Sequence, residues 1–509
     1  MYGETVVLPS IMDKFYMGII LIAFMVLIDV KSSVIVGNKD ITITKDNFEE
    51  TSEEIAIEHN SINNIDADAF VKIKNLSKLR IRQNTIKDLP DHLKGLQNLK
   101  EFVFEENEVE KLKHVERLVK YLKETNKVLE KLTVNNGGIT NFDCISKFLN
   151  LNSLVLKNNF IEELPNDLSV RLPILQNLDL SFNNLTVVNQ KQLKGFSELM
   201  NLRLAHNNIQ KIEDFAFYDL GKLETLSFQN NSISEITRET FKRLKSLIAV
   251  SVAENRLELI TDDVFQDSQN LYEIVFKENT ITNISDDAFR GLNKLEILDI
   301  RNNYILGING NIFKHTPNLV KLRLGRNSIE ILHSNTIVRM PRLEHIDLSY
   351  NLINRIEDNA FNDIISLEEL DLSRNEIETW NPKAFRNVKK LVRLNLEDNR
   401  IKAIESSAFY NFGVKKLNLR NNLITRIESD AFAGMESLQL LGLSGNSIYN
   451  FEDGTFNGLS KLRCIDLMNN VEQSRELFQK LPYAKYMFTG KTYTKRDERE
   501  TRCYNKLVL

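Results

Sequence analysis

Residues 175–185, LQNLDLSFNNL, and residues 199–209, LMNLRLAHNNI, decide the fold. Both follow the pattern L-x-x-L-x-L-x-x-N-x-L/I, and the step from Asn183 to Asn207, twenty-four positions, is the period of the chain. The same asparagine returns at Asn231, Asn255, Asn279, Asn303, Asn327, Asn351, Asn375 and Asn399, making nine equal steps from Asn183. Downstream come Asn422, Asn446 and Asn470; upstream come Asn159, Asn107, Asn84 and Asn60. Between Asn107 and Asn159 one unit carries Gly137 at the asparagine position. The result is 18 units from about Ser52 to about Tyr483. A fixed period of roughly 20–50 residues is the signature of stacked repeats, not of separate globular domains.

The residue types explain the stacking. Leucine or isoleucine at template positions one, four, six and eleven faces inward, while positions three, five, seven and eight face out of a short strand. A single unit cannot bury its own apolar face, so neighbours must share one core. The asparagine amide both donates and accepts, and suits a bend where backbone groups of adjacent turns need partners. Replacing a buried one with leucine is expected to cost on the order of 1–3 kcal/mol. The second half of each unit reads I-x-x-x-A-F-x-x-L, and eleven units place phenylalanine alike: Phe70, Phe217, Phe241, Phe265, Phe289, Phe313, Phe361, Phe385, Phe409, Phe432 and Phe456. Their spacing predicts a spine of rings in the opposite wall. The expected fold is an α/β solenoid of about 18 repeats, a curved horseshoe with a parallel sheet on its concave face. At roughly 4.8 Å per strand the sheet contour is on the order of 85 Å.

Composition agrees. The chain has 509 residues, with Lys+Arg 66 against Asp+Glu 70, a net charge of −4 and 42% hydrophobic residues. That balance argues against nucleic-acid partners and against global disorder. Only 19 glycines and 8 prolines exclude collagen-like and low-complexity classes.

The repeat resembles the extracellular leucine-rich-repeat class, which includes Toll-like receptor ectodomains, Slit, chaoptin and the acid-labile subunit of serum growth-factor complexes. Its few cysteines, secretory start and phenylalanine spine are most similar to the leucine-rich immune proteins of mosquitoes. The resemblance implies a circulating binding protein of innate immunity, with an immune effector or receptor as partner. This chain departs from the longer members in having no heptad coiled coil after its repeats, and heterodimers built on such a coil are not implied.

Residues 15–28, FYMGIILIAFMVLI, form an apolar run preceded by Lys14 and followed by Val30-Lys31-Ser32-Ser33. This reads as a signal peptide over residues 1–33, cut after Ser32 or Ser33, with translation from Met1 or from Met12. Fourteen apolar residues are short for a span of about 20; an uncleaved anchor is the alternative. The last residues, Asn505 to Leu509, carry no GPI tail, so a secreted chain with no span in its mature form is expected. Four sequons, at Asn75, Asn184, Asn230 and Asn283, mark candidate glycosylation sites and avoid the template asparagines. Of three cysteines, Cys464 in the last repeat and Cys503 in the tail are a candidate disulfide, and Cys144 reads as a buried free thiol. Residues 34–51 read as an N-terminal cap, with Val34-Ile35-Val36 and Ile41-Thr42-Ile43 as a hairpin around residues 37–40. Residues 52–483 form the solenoid and 484–509 the C-terminal cap and tail.

Two irregularities interrupt the period. The step from Asn107 to Gly137 is six positions longer than the others, and Leu112, Val115, Leu118, Val119 and Leu122 within 111–126 make one helical face, read as added core packing. Leu89-Pro90 and Leu164-Pro165 replace the phenylalanine turn in two units.

Catalytic signatures are absent: no HExxH, GxSxG, P-loop or CxxC occurs. The seven histidines lack metal-ligand spacing, and His206 and His345 read as solvated surface. No cofactor is expected, and no enzyme. What remains is a surface. Units ending at Asn207 through Asn279 present small or apolar groups on their outward positions: Ala205, Ser227, Ala249, Ser251, Ala253 and Val275. Those ending at Asn303 through Asn375 present Arg301, Lys321, Arg323, Arg326, His345, Tyr350 and Arg374, with Asp299, Asp347 and Asp371 sharing the column of Arg323. Adjacent strands set these charges about 5 Å apart, so mutual neutralisation is one reading. The other is a protein-docking patch, since arginine and tyrosine are frequent interface anchors. The expected function is that of a secreted, non-enzymatic binding protein that recognises another protein or a pathogen-associated ligand through its concave face, in innate immunity. A membrane-held receptor or adhesion ectodomain and a matrix protein are the alternatives.

Overall fold

The computed structural model describes residues 32–145, 148–410 and 412–470, and the backbone of Tyr486–Phe488. The chain divides into two units. The N-terminal unit runs to Leu257 and includes Val264–Leu271; the C-terminal unit comprises Glu258–Asp263 and the chain from Tyr272 onward. Each is a solenoid of parallel strands with little helix.

In the N-terminal unit the central template residues extend into strands that pair with the next turn. These are β1 (Ser32–Val36), β3 (Glu54–Glu58), β5 (Lys78–Arg82), β7 (Glu101–Glu105), β9 (Lys131–Val134), β10 (Ser153–Val155) and β11 (Asn177–Asp179). Later turns shorten the strand to three residues, as in Asn201–Arg203 and Thr225–Ser227. A second parallel sheet accompanies the first turns: β2 (Ile41–Ile43), β4 (Ser61–Ile65), β6 (Thr85–Asp88) and β8 (Glu108–Val109). The C-terminal unit repeats the three-residue strand from Glu273–Val275 to Cys464–Asp466. Register follows the template and ignores turn length. Phe104 lies opposite Val134 across the lengthened turn, and Asn395 opposite Asn418 across one that is a position short.

After each strand the chain bends at one left-handed residue. His59, Gln83, Phe182, His206, Arg326, Tyr350 and Arg374 all have φ between 53° and 59°, and each immediately precedes a template asparagine. Gly445 holds this place in its turn at φ +69°, where an added Cβ would run into Asn421 Oδ1. A side chain there is excluded by space, whatever its φ preference.

The asparagines secure the bend. In the C-terminal unit Asn351 Nδ2 donates to Leu324 O and Leu348 O, both at 3.0 Å, and its Oδ1 accepts from Ile329 N–H at 3.1 Å. The same three bonds recur at Asn303, Asn327, Asn375, Asn399, Asn422, Asn446 and Asn470. In the first turns the link runs from backbone N–H to the next amide: Asn60 to Asn84 Oδ1 at 2.9 Å, and Asn84 to Asn107 Oδ1 at 3.0 Å. It stops at Asn107, because its neighbour is Gly137, and resumes when Gly137 and Ile139 N–H donate to Asn159 Oδ1. Asn107 N–H has no acceptor among the described residues.

All eleven template phenylalanines are buried. Rings one turn apart stack within each unit: Phe241 on Phe265 with centroids 4.9 Å apart, Phe361 on Phe385 at 4.9 Å and Phe409 on Phe432 at 6.1 Å. Such pairs add roughly 0.5–1.5 kcal/mol to the burial of each ring. Trp380 joins this core and donates from Nε1 to Ala408 O at 2.8 Å.

The inserted segment forms α1 (Lys113–Thr125), with Val115, Leu118, Val119 and Leu122 buried. Leu112 departs from the expected face: it sits at the helix N-cap, exposed. Asn126 closes the helix by donating to Leu96 O and Leu99 O at 2.6 and 2.8 Å.

The N-terminal cap is not the expected hairpin. β1 pairs in parallel with β3, and β2 in parallel with β4, so the two strands belong to different sheets. Gly37 (φ +72°) and Asn38 repeat the left-handed bend and the asparagine of every later turn, and Asn38 N–H donates to Asn60 Oδ1 at 3.0 Å. The segment is a solenoid turn, because stacking on the next turn outweighs the local turn signal. Both candidate cleavage points, Ser32 and Ser33, fall within β1; residues 1–31 lie outside the described residues.

Candidate interaction surface

Alternation along each strand raises template positions three, five and seven to the face opposite the leucines, and the left-handed bend carries position eight to the rim. In the C-terminal unit these positions form columns whose members stand one strand apart.

The floor of this face neutralises itself. Asp299, only 3% exposed, takes Arg301 Nε on Oδ1 at 2.9 Å and Arg301 Nη2 on Oδ2 at 2.5 Å, and Arg323 Nη1 lies 3.4 Å from the same Oδ2. Asp347 accepts from Ser349 N–H at 3.0 Å and from its hydroxyl at 2.6 Å, and Asp371 accepts from Ser373 N–H at 2.8 Å. Burial pushes the Asp371 carboxyl above its ordinary value. Gly325 lies between, where a Cβ would come within 2.8 Å of the Asp347 carboxylate. In the third-position column His345 Nδ1 is 3.1 Å from Glu369, which also pairs with Arg393. Burial, then the Lys321 ammonium, hold His345 below the usual imidazole value. His345 is therefore half-buried and paired. His206 departs likewise from a solvated residue: its ring stacks on Phe182 with centroids 4.0 Å apart.

The rim behaves differently. The Arg326 guanidinium lies over one side of the Tyr350 ring at 4.0 Å and that of Arg374 lies 4.6 Å from the same ring. Arg374 Nε also pairs with Asp398 at 3.1 Å. Among the described residues no carboxylate pairs with Arg326. Stacked contacts of this kind contribute roughly 0.5–1 kcal/mol each at exposed positions, and they hold both arginines in place before any partner arrives. Tyr350 is 36% exposed, and Leu352, two residues on, 43%.

The seven residues of the sequence-derived patch thus separate into two groups: Arg301, Arg323 and His345 lie in a paired floor with Lys321 in the same columns, and Arg326, Tyr350 and Arg374 form an exposed stack. Asp299, which the sequence placed in the column of Arg323, completes the floor; Asp398 and Leu352 were not singled out from sequence. The available signal was the period itself: Asp299 precedes Arg323, and Arg374 precedes Asp398, by one full repeat.

Other faces are less open. In the N-terminal unit Glu101 pairs with Lys78 at 3.1 Å and Lys131 at 4.0 Å, and Arg82 pairs with Glu105 at 3.3 Å. Ala249, Ser251 and Ala253 are buried, so the small-residue stretch is not an exposed surface there. Asn75, Asn230 and Asn283 are exposed and Asn184 half-buried. Cys144 is free and buried, and burial pushes its thiol up to about 12. Cys464 is buried in its strand, while Cys503 lies outside the described residues. Among the described residues no three His, Cys, Asp or Glu side chains gather as a metal site, and no helix is long and apolar enough to cross a membrane.

Comparison with known proteins agrees on the repeat. The model of the leucine rich repeat matches residues 53–109, 293–353, 341–401, 389–448 and 412–471. The BspA type leucine rich repeat region (6 copies) matches residues 172–296. No curated protein sequence matches. Among solved structures, a leucine-rich-repeat protein of Leptospira interrogans superposes with a TM-score of 0.60 at 23% identity, covering 77% of this chain and 91% of that one. The Toll–Spatzle complex, a molecular hub in Drosophila development and innate immunity, gives 0.66 at 21% identity, covering 86% of this chain and 57% of that chain. The TLR13–ssRNA13 complex gives 0.53 at 22%, covering 87% and 79%. With repeat models spanning most of residues 53–471 and a parallel solenoid built on the template asparagine, this chain belongs to the leucine-rich-repeat family.

Proposed function

We propose that this chain is a secreted, non-enzymatic binding protein that holds a protein partner against the rim of its C-terminal unit. The observation that carries the reading is the Arg326–Tyr350–Arg374 stack beside exposed Leu352. Two prearranged cations, a ring and an aliphatic side chain form the kind of surface that anchors protein interfaces. The apolar run at residues 15–28 and the exposed sequons at Asn75, Asn230 and Asn283 support secretion with glycosylation. The Toll–Spatzle complex, described as a hub of innate immunity, supports an immune setting through a shared fold.

The test is affinity capture from extracellular fluid with identification by mass spectrometry, run in parallel with Arg326→Glu/Arg374→Glu. Arg323 is left intact, because reversing it would set a second carboxylate beside buried Asp299. The double variant should weaken capture of the identified partner at least tenfold, about 1.4 kcal/mol, with the melting temperature lowered only as far as the lost stacked contacts and the Arg374–Asp398 pair account for. Equal capture by both proteins would remove the rim from the interface.

A further inference from the structure

We infer that the cleft at the open edge of β8 is a peptide-binding site, taking an extended segment of a partner polypeptide in which an apolar residue is flanked by basic ones. The sheet β2–β4–β6–β8 ends at β8, and the turn that follows contributes no strand beside it. Thr85 and Glu108 N–H donate back to Asn60 O and Asn84 O at 2.9 and 2.8 Å, and Ile86 O accepts from Glu110 N–H at 3.2 Å. Alternation therefore aims Val109 N–H and C=O away from β6, at the open edge. The orphaned Asn107 N–H does not add to this edge, because Asn107 is buried and Val134 and Val115 fill the space where an amide at Gly137 would lie.

A cleft of about 450 Å³ opens at this place, lined among others by Ile86, Asn107, Val109, Leu112 and Asn136. Its chemistry selects the occupant. A backbone donor and acceptor on one residue match the backbone of an added strand, and Ile86, Val109 and exposed Leu112 offer an apolar wall to one side chain. The exposed Glu108 and Glu110 flank Val109, while Lys87 is engaged by Asp40 and Asn63. The local field disfavours anions and favours lysine or arginine beside the apolar residue. This site lies in the N-terminal unit and does not depend on the rim of the C-terminal one.

The experiment selects a phage-displayed random decapeptide library on the full chain, then measures synthetic copies of enriched peptides by fluorescence anisotropy. Enriched sequences should place an apolar residue next to lysine or arginine. Val109→Pro removes only the edge N–H, since the bonds to β6 come from Glu108 and Glu110, and should weaken binding at least tenfold. Leu112→Glu, at an exposed position, should do the same and serves if the proline variant does not fold. Arg326→Glu/Arg374→Glu should bind these peptides normally, so failure here and failure of the rim are separable. An unenriched library, or enriched peptides that bind both cleft variants as they bind wild type, would overturn the assignment.

Discussion

Replacing Asn327 with leucine removes one rung of the ladder and leaves the surrounding hydrophobic volume nearly unchanged. Three bonds disappear: Nδ2 to Ile300 O at 3.0 Å, Nδ2 to Leu324 O at 2.9 Å, and Ile305 N–H to Oδ1 at 3.1 Å. Ile300 O keeps the Asn303 amide at 3.1 Å and Leu324 O keeps the Asn351 amide at 3.0 Å, so Ile305 N–H is the one group left without a partner, in a site where Asn327 itself is only 8% exposed. One orphaned buried N–H costs about 1–3 kcal/mol, and the two carbonyls lose only one of their two donors, so the loss stays within that range. Urea unfolding measures the total, and hydrogen exchange of Ile305 N–H reports the local effect. Asn327→Asp sharpens the test. It keeps the acceptor but turns a second carboxylate oxygen toward two carbonyls, so burial and repulsion raise its pKa. A raised folded-state pKa means that its contribution is complete below about pH 3.9, the unfolded value, and disappears as pH climbs through the folded value. The aspartate variant should therefore approach wild type on acidification and fall away toward neutrality. A leucine variant as stable as wild type would refute the account, because a buried N–H without an acceptor costs at least about 1 kcal/mol.

Phe289→Ala should destabilise by about 3–5 kcal/mol in the same unfolding assay, since the ring is fully buried in the spine; a wild-type transition would mean that the wall repacks around the void. Peptide mapping without reduction should recover Cys464 joined to Cys503 in the secreted protein, and two free thiols would rule that bridge out. Asp287, beside Lys314 at 2.8 Å and His315 at 3.2 Å and in contact with Arg290, is held down to about 2 by these partners, the Lys314 hydrogen bond foremost. A depressed folded-state pKa contributes stability above the unfolded value that is lost as pH falls from about 4 toward 2, so Asp287→Asn should flatten the acid limb of the melting curve; an unaltered limb would show these contacts to be fully screened.

The recurring side chains that build the core were legible in the sequence. The leucines, the template asparagines and the phenylalanines were placed by period alone, because each is chosen by a neighbour one turn away. What escaped depends on reach or on backbone shape. The spacing offered the Asp299–Arg323 pairing as one of two readings, but not that Asp299 also draws in Arg301 from its own strand, because that outcome is set by side-chain length and burial. The left-handed residue before each asparagine is hidden in the turns where it is histidine, glutamine, glutamate, aspartate, phenylalanine, arginine or tyrosine, while Gly37, Gly445 and asparagines such as Asn158, Asn230, Asn302 and Asn421 carry the usual signal. At Gly37–Asn38 the turn signal was read correctly, but its partner was not: a glycine and an asparagine between two apolar runs suit a hairpin, and only the register with β3 and β4 makes them a solenoid bend.

The indifference of strand register to turn length has an evolutionary corollary. Phe104 meets Val134 across the turn that carries α1 as faithfully as Leu178 meets Leu202 across an ordinary one. Sequence can therefore be spliced into the back of a turn, as α1 has been, without displacing a single residue on the strand face. The two sides of the molecule are separately editable. A lineage can grow helices, loops or new edges behind the sheet while its strand face stays in phase, and an engineer can seat a tag or a binding module there by the same route.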